Sequence, residues 1–348
     1  MKRFQCSGCG QEVHFDNSRC LQCGADLGVH PIEWRMIALA PDASGVMGVD
    51  AGAGRWSLCQ NATHDTCNWL VAPGEGPLCL SCRHNRTIPD LGIPANLALW
   101  KAIELAKRQL FYALIRWGLP LDGLLEGGLT FEFAADTVGP DGTVVRMMTG
   151  HRDGTISINI EEADDAVRER IRTEMGEPYR TLLGHFRHEV GHYYWDRLVR
   201  DGGRLEDFRA IFGDETADYG AALQRHYQNG APENWSGQFI SAYAAAHPWE
   251  DFAETWSHYL HIVDSLETAY AYGMSVTAPL GVDGPPSVEL DFQPYEATEL
   301  SRIIEAWVPF TIALNSINRS MGQRDFYPFV MSGPVMEKLE FVHRLIKG

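Results

Sequence analysis

Residues 185–195 contain the pattern His-Glu-x-x-His, formed by His188, Glu189 and His192. On a helix, residues four apart lie on one face, so both imidazoles can point at a single metal ion. Glu189 is offset by one position, from which it can reach a water beside the metal without occupying a coordination position. The pattern therefore predicts a helix that holds a catalytic zinc ion, with Glu189 as general base.

The residues around this pattern distinguish it from a surface helix with two solvated histidines. Apolar side chains surround it almost completely, which indicates a buried helix. They are Leu182, Leu183, Phe186, Val190, Tyr193, Tyr194 and Leu198. Buried polar side chains need partners, and a metal ion supplies them. The flanks therefore favour the metal-binding interpretation.

All eight cysteines lie within the first 82 residues and form two groups of four. Thiolates two residues apart can bind one tetrahedral zinc ion. A disulfide framework is the alternative, but it needs an oxidising compartment, and we find no export signal in the sequence. We therefore expect two closed, structural zinc sites. The first comprises Cys6, Cys9, Cys20 and Cys23, and the second comprises Cys59, Cys67, Cys79 and Cys82.

A catalytic zinc ion usually takes three protein ligands and a water, so a third ligand is needed. Glu250 is the first candidate, because it follows Pro248 at the start of an apolar helical segment. Glu254 and His258 repeat its face at four-residue intervals and are expected to orient the ligands. Glu254 and Asp251 are further alternatives for the ligand itself.

The second motif, Glu-Asp-Phe-Ala-Glu at residues 250–254, completes a resemblance to a known group. His-Glu-x-x-His followed by Glu-x-Phe-Ala-Glu is similar to the gluzincin metallopeptidases, including lethal-factor-like and Pro-Pro endopeptidases. In that group the first Glu of the second motif binds zinc, and a Tyr seven residues earlier stabilises the oxyanion. The resemblance therefore implies Glu250 as the third ligand and Tyr243 as the oxyanion residue.

Nearly the full length of the chain also resembles the bacterial zinc-binding metallopeptidases that carry an N-terminal zinc ribbon. This resemblance implies a peptidase activity with no defined substrate.

Glu215 is the rival third ligand. It lies 23 positions after His192, close to the interval of thermolysin-like enzymes. Asp218 stands roughly where their motif carries a further acid, although the register does not match fully. The spacing alone leaves Glu250 and Glu215 both open.

The order of the predicted elements indicates an α+β fold. We expect a zinc ribbon at 1–28, a second four-cysteine segment at 29–92 and a zincin-like metallopeptidase domain at 93–348. In that domain a small sheet precedes the metal helix, and the second half is mostly helical.

Hydrophobic periodicity predicts the individual elements of this domain. A strand is expected at 130–133 and a hairpin between 144–148 and 155–160. The strand at 155–160 is either an edge that binds an extended peptide or an ordinary sheet component. The loop at 279–294 is a candidate lid. Helices are expected at 95–117, 163–175, 179–200, 205–212, 215–228, 236–246, 250–272, 295–319 and 334–346.

The charge balance limits the choice of partners. The net charge is −17, from 46 acidic and 29 basic residues, which disfavours nucleic acid and a polybasic membrane anchor. Residues 1–90 hold seven Lys or Arg against nine Asp or Glu, so the cysteine segments lack the excess of basic residues that is typical of nucleic-acid binding. No 18-residue apolar window or signal stretch is found, so no membrane association and a cytoplasmic location are expected.

These patterns together predict a cytoplasmic zinc metallopeptidase with one catalytic and two structural zinc ions. A peptide or protein is the expected substrate, and a protein partner is expected at the cysteine segments. The alternative is a catalytically silent zincin-fold protein that recruits a partner through those segments and its cleft. Retention of Glu189 argues against this alternative, because a pure binder does not need a general base.

Overall fold

The structure is a computed structural model, which describes all residues except 44, 52–53, 123–126, 139–140, 142, 146, 148, 176 and 278–286. The described chain has eight α-helices and several small sheets, which confirms the predicted α+β class. Among the described residues, no helix is both long and apolar enough to span a membrane.

The chain forms two compact units. The N-terminal unit comprises Lys2–Ile115 and Pro120–Ile171, and the C-terminal unit comprises Met1, Arg116–Leu119 and Arg172–Gly348. The expected boundary near residue 92 stays a prediction.

The cysteine segments of the N-terminal unit fold into short antiparallel strands. β1 pairs with β2, β3 pairs with β4, and β5 to β8 form a four-stranded sheet in sequence order. The strands are β1 Phe4–Gln5, β2 Glu12–Val13, β3 Leu27–His30, β4 Arg35–Ala38, β5 Ala40–Pro41, β6 Met47–Ala51, β7 Gly54–Leu58 and β8 Leu70–Val71.

An aromatic cluster packs these segments against the first helix, α1 (Pro94–Arg116). Trp69 is fully buried and contacts Phe15 and Trp34 edge to face, at ring-centroid distances of 6.1 and 5.5 Å. The ring centroid of Tyr112, on α1, lies 4.5 Å from that of Trp34. Rings of this size bury large apolar areas, so the cluster stabilises this unit.

A second sheet of the N-terminal unit has the order β13-β14-β10-β9. The strands β9, β10 and β14 are parallel, and β13 is antiparallel to β14. Alternate side chains of β10 and β14 are buried, as period-two strands require. The strands are β9 Asn85–Thr87, β10 Thr130–Ala134, β13 Gly150–Arg152 and β14 Thr155–Asn159, and a separate pair consists of β11 Thr137–Val138 and β12 Val144–Val145.

The predicted hairpin has the right turn but the wrong first strand. Asp153 and Gly154 both have positive φ, 47° and 80°, as a tight two-residue turn requires. Such a turn closes the strands at once, so β14 pairs with β13. The pair at 144–145 instead joins β11.

The structure decides between the two alternatives for the strand at 155–160 and contradicts the peptide-binding edge. β14 lies inside the sheet, because β13 covers one side at Thr155–Ser157 and β10 covers the other. Its backbone groups there are already paired, so β14 is an ordinary sheet component.

The C-terminal unit is mostly helical, and its helices lie close to the predicted positions. α3 is followed by a π-helical turn, Trp195–Arg200, and β15 (Ser275–Val276) pairs with β16 (Val288–Glu289). Residues 279–286 of the candidate lid lie outside the described residues, and its second half, 287–294, contains β16. The helices are α2 Asp165–Glu174, which spans both units, α3 Leu182–Tyr194, α4 Leu205–Phe212, α5 Tyr219–Asn229, α6 Pro248–Ala271, α7 Leu300–Ser320 and α8 Gly333–Lys347.

The helix predicted at 236–246 is wrong. This region holds two 3₁₀ turns, Trp235–Gly237 and Tyr243–Ala246. The hydroxyl of Ser241 accepts a hydrogen bond from the backbone N–H of Ala244 at 3.1 Å. Such a side-chain bond competes with the helical backbone pattern, which explains the irregular path.

Candidate metal centre

The helix α3 begins at a capped end and presents two histidines on one face. Thr181 is its N-cap and accepts a hydrogen bond from the N–H of Gly184 at 2.9 Å. His188 and His192 lie one turn apart, with ring centroids 4.9 Å from each other. Both are buried, as the apolar flanks predict.

A close helix crossing brings α6 to these histidines. A Cβ atom on Gly191 would lie only 3.0 Å from the Cα of Ala253, so glycine permits the approach of the two helices. The N-terminus of α6 is fixed by His247, whose Nδ1 accepts from the N–H of Trp249 at 3.1 Å. Glu250 therefore lies in the first turn of α6, where the helix dipole favours a carboxylate.

The structure brings His188, His192 and Glu250 together. Their ligand atoms lie within 4.8 Å of one another. Oε2 of Glu250 lies 3.0 Å from Nε2 of His188, and Oε1 lies 3.6 Å from Nε2 of His192. Burial raises the pKa of Glu250, but the two histidines hold it well below its usual range. Two imidazole nitrogens and one ionised, buried carboxylate match the donors of a catalytic zinc site.

Glu254 holds His188 from the other side of the ring. Its Oε1 lies 2.7 Å from Nδ1 of His188, which directs Nε2 toward Glu250. The hydroxyl of Ser241 donates to Oε2 of Glu254 at 2.6 Å. Although burial opposes ionisation, these contacts lower the pKa of Glu254 to about 2. A carboxylate on the far nitrogen fixes the tautomer and orientation of a ligating histidine.

Glu189 is buried beside the histidine pair and has its own partner. Oε1 of Glu189 lies 3.2 Å from Nε2 of His185, one turn earlier on α3. Burial raises the pKa of Glu189, but the bond to His185 and the nearby ring nitrogens bring it below its usual range. The carboxylate is therefore ionised and able to accept a proton.

Two tyrosines lie near the three candidate ligands. The hydroxyl of Tyr219, the first residue of α5, donates to Oε1 of Glu250 at 2.6 Å. The ring of Tyr243 lies 5.9 Å from that of His188. Burial, and then the charge of Glu250, raises the pKa of both phenols, so both remain protonated donors.

The alternative third ligands Glu215 and Asp251, and His258, have partners outside the group of three candidate ligands. Glu215 pairs with Arg209, whose Nε lies 2.9 Å from Oε2. Asp251 is not one of the three converging residues, and its Oδ2 pairs with Nζ of Lys338 at 2.7 Å. His258, predicted to orient the ligands, instead bonds through Nδ1 with the hydroxyl of Tyr327 at 2.8 Å.

Both cysteine groups converge within the N-terminal unit, with the sulfurs of each group within 4.8 Å of one another. In the first group, Sγ of Cys6 lies 3.8 Å from Sγ of Cys23, and Sγ of Cys9 lies 3.6 Å from Sγ of Cys20. These separations exceed a disulfide bond of about 2 Å and suit four thiolates around one ion. The first group has two exposed members, and the second group is fully buried.

Sequence reasoning did not identify Tyr219 or Ser241 as part of the site. Tyr219 precedes Glu250 by 31 positions, so no local spacing connects them. Ser241 precedes Glu254 by 13 positions and lies in the segment that was wrongly predicted as helix. Only the packing of these segments around α6 identifies either residue.

Comparison with known proteins agrees with this chemistry. Two curated relatives, uncharacterized proteins of Mycobacterium tuberculosis and Mycobacterium bovis, are each 40% identical over 351 residues, covering 99% of this chain and 95% of the relative. No solved structure matches the chain significantly, so the zincin-like arrangement stays a prediction. A zinc-ribbon domain model matches residues 3–93, and a family model described as "Putative zinc-binding metallo-peptidase" matches residues 96–345. The chain therefore belongs to this zinc-binding metallopeptidase family and carries an N-terminal zinc ribbon.

Proposed function

We propose that this protein is a gluzincin-type zinc peptidase that hydrolyses peptide bonds in a peptide or protein substrate. One observation carries the proposal: His188, His192 and Glu250 converge from two helices, with ionised Glu189 buried beside them. The three converging residues would hold the zinc ion. A carboxylate that lies next to such a group and outside it has the position that a general base requires.

Zinc bound by these residues would supply Lewis-acid chemistry, which acidifies water and polarises a carbonyl. Glu189 would accept the proton of the attacking water and then deliver it to the leaving amine. His185 holds the carboxylate of Glu189 through the 3.2 Å contact, which limits its rotation between these two steps. Glu254 keeps His188 oriented throughout.

We assign Tyr243 as a donor to the oxyanion that develops on the substrate carbonyl. Its ring lies beside His188, and its phenol stays protonated. A preorganised donor of this kind stabilises charge that appears only in the transition state. The assignment agrees with the position of Tyr243 seven residues before Glu250, as in the gluzincins.

The two cysteine groups would hold structural zinc ions. Four thiolates leave no position for substrate, so these sites stabilise the fold of the ribbon segment. The expected total is three zinc ions per chain. Mild chelation should remove one ion first, because a three-ligand site exchanges more readily than a closed thiolate site.

Elemental analysis and a peptide-library digest test this proposal together. Protein prepared in reducing buffer without chelator should contain about three zinc ions and cleave library peptides. Removal of the labile ion should stop cleavage, and zinc should restore it. One zinc or none per chain would contradict the metal assignment. Three zinc ions without cleavage of any library peptide would favour a catalytically silent binding protein.

A further inference from the structure

We propose that Tyr219 is a positioning residue that orients the carboxylate of Glu250 for metal binding. This inference rests on the metal centre of the proposed function. Tyr219 lies outside both sequence motifs, at the first position of α5.

The contact engages one specific oxygen of Glu250. The hydroxyl of Tyr219 donates to Oε1 at 2.6 Å, while Oε2 lies 3.0 Å from Nε2 of His188. The side chain of Glu250 is only 1% exposed, so water cannot replace a lost partner readily. The hydrogen bond from Tyr219 therefore fixes Oε1 and leaves Oε2 turned toward His188.

The ring of Tyr219 is itself held in place by the start of α6. It packs edge to face on His247 and Trp249, at centroid distances of 5.2 and 5.7 Å. Nε2 of His247 also bonds with the carbonyl oxygen of Ala217 at 3.1 Å. Although Tyr219 is 38% exposed, its hydroxyl end is turned toward Glu250.

These contacts connect the start of α5 to the first turn of α6. The side chain of Asp218 caps α5 by accepting from the N–H of Ala221 at 2.9 Å, so the backbone that carries Tyr219 is fixed as well. A donor on a fixed backbone orients its acceptor at little entropic cost. Hydrogen bonds to metal-binding side chains typically contribute about 10–100-fold to metal affinity.

Tyr219→Phe tests this role, because it removes the hydroxyl and keeps the ring packing. Tyr227→Phe is the matched control, since Tyr227 lies on the same helix and its phenol interacts with Tyr243. Both variants are prepared with the cysteine sites filled by zinc and the labile ion removed by chelation. Zinc affinity at the vacated site is then measured by competition with a chelating dye, and the visible spectrum is recorded after Co²⁺ is added.

Tyr219→Phe should bind zinc about 10–100-fold more weakly than wild type and show a changed Co²⁺ spectrum. Tyr227→Phe should match wild type in both. Wild-type affinity and spectrum in Tyr219→Phe would overturn this inference alone. Weaker binding with a lowered thermal midpoint of the metal-depleted protein and an unchanged Co²⁺ spectrum would also overturn it, since that outcome reports a folding defect. Failure of the wild-type protein to bind a third ion would overturn the metal centre itself.

Discussion

Oε1 of Glu254 lies 2.7 Å from Nδ1 of His188, and this contact joins the two motifs of the chain directly. One motif supplies the histidine, and the other supplies both its orienting carboxylate and Glu250. The i,i+4 spacing of Glu250 and Glu254 on α6 thus places one acid on each side of a single imidazole ring. The second motif works as a unit, because its two carboxylates contact opposite nitrogens of His188.

Removal of the orienting carboxylate should weaken metal binding without abolishing it. We expect Glu254→Ala to lower zinc affinity at the labile site by about 10–100-fold. Ser241→Ala removes only the bond to Oε2 of Glu254, so its effect should be smaller. Competition with a chelating dye measures the zinc affinity of both variants. Equal affinity of Glu254→Ala and wild type would show that His188 needs no orienting partner.

The third ligand can be identified by comparing two carboxylate variants. Glu250→Ala should empty the labile zinc site, because it removes one of the three converging groups. Glu215→Ala should keep the zinc, since Glu215 pairs with Arg209. Zinc titration with the cysteine sites filled measures the difference. The reverse result, with zinc lost only from Glu215→Ala, would require a thermolysin-like ligand set.

The ion pair between Asp251 and Lys338 should be important for the stability of the C-terminal unit. Both side chains are buried, and burial raises the pKa of Asp251 to about 7 despite the opposing charge of Lys338. Lys338→Met removes the charge that lowers the pKa of Asp251, so this pKa should rise further and the variant should be less stable than wild type, most clearly above about pH 7. Adding Asp251→Asn to that variant should recover part of the loss. Chemical denaturation measures the unfolding free energy of the single and the double variant. If Lys338→Met alone is as stable as wild type, the ion pair is not important for stability.

His258 should make the protein less stable in acid. Burial lowers its pKa to about 4, although Glu254 opposes the shift, whereas the unfolded chain protonates near 6.5. As the pH falls from about 6.5 to about 4, only the unfolded state takes up this proton, so stability is lost across that range. The loss approaches about 3 kcal/mol at the lower end.

His258→Gln should show a smaller fall in thermal midpoint between those pH values than wild type. Both proteins are compared after the labile ion has been removed by chelation, so that loss of this ion in acid does not contribute to the difference. If the thermal midpoints of the two proteins fall equally between these pH values, the burial of a neutral His258 is contradicted.

Local patterns of the sequence predict the parts of the site that lie within one element. The four-residue spacing of His188 and His192 predicts their shared face, and the apolar neighbours of Glu250 predict its helix. In these two helical motifs the residues concerned are close in sequence, so helix periodicity decides their geometry. The spacing of the cysteines predicts their pairs, but the pairs of the first group meet across 11 and 17 positions.

The remaining features depend on contacts between distant segments. Tyr219 reaches Glu250, and Lys338 reaches Asp251, only because separate helices pack against α6. The predicted helix at 236–246 is wrong, because the hydroxyl of Ser241 accepts from the N–H of Ala244 and donates to Glu254. Hydrophobic periodicity does not register such side-chain bonds.

The comparison of wild type with Glu189→Gln tests the central claim most directly. The substitution keeps the shape of the side chain and removes the basic carboxylate. With a peptide that wild type cleaves, Glu189→Gln should lower kcat by at least about 100-fold while the protein retains three zinc ions and its thermal midpoint. Unchanged turnover, or loss of the labile zinc from this variant, would contradict the account of Glu189 as a base that lies outside the metal ligands.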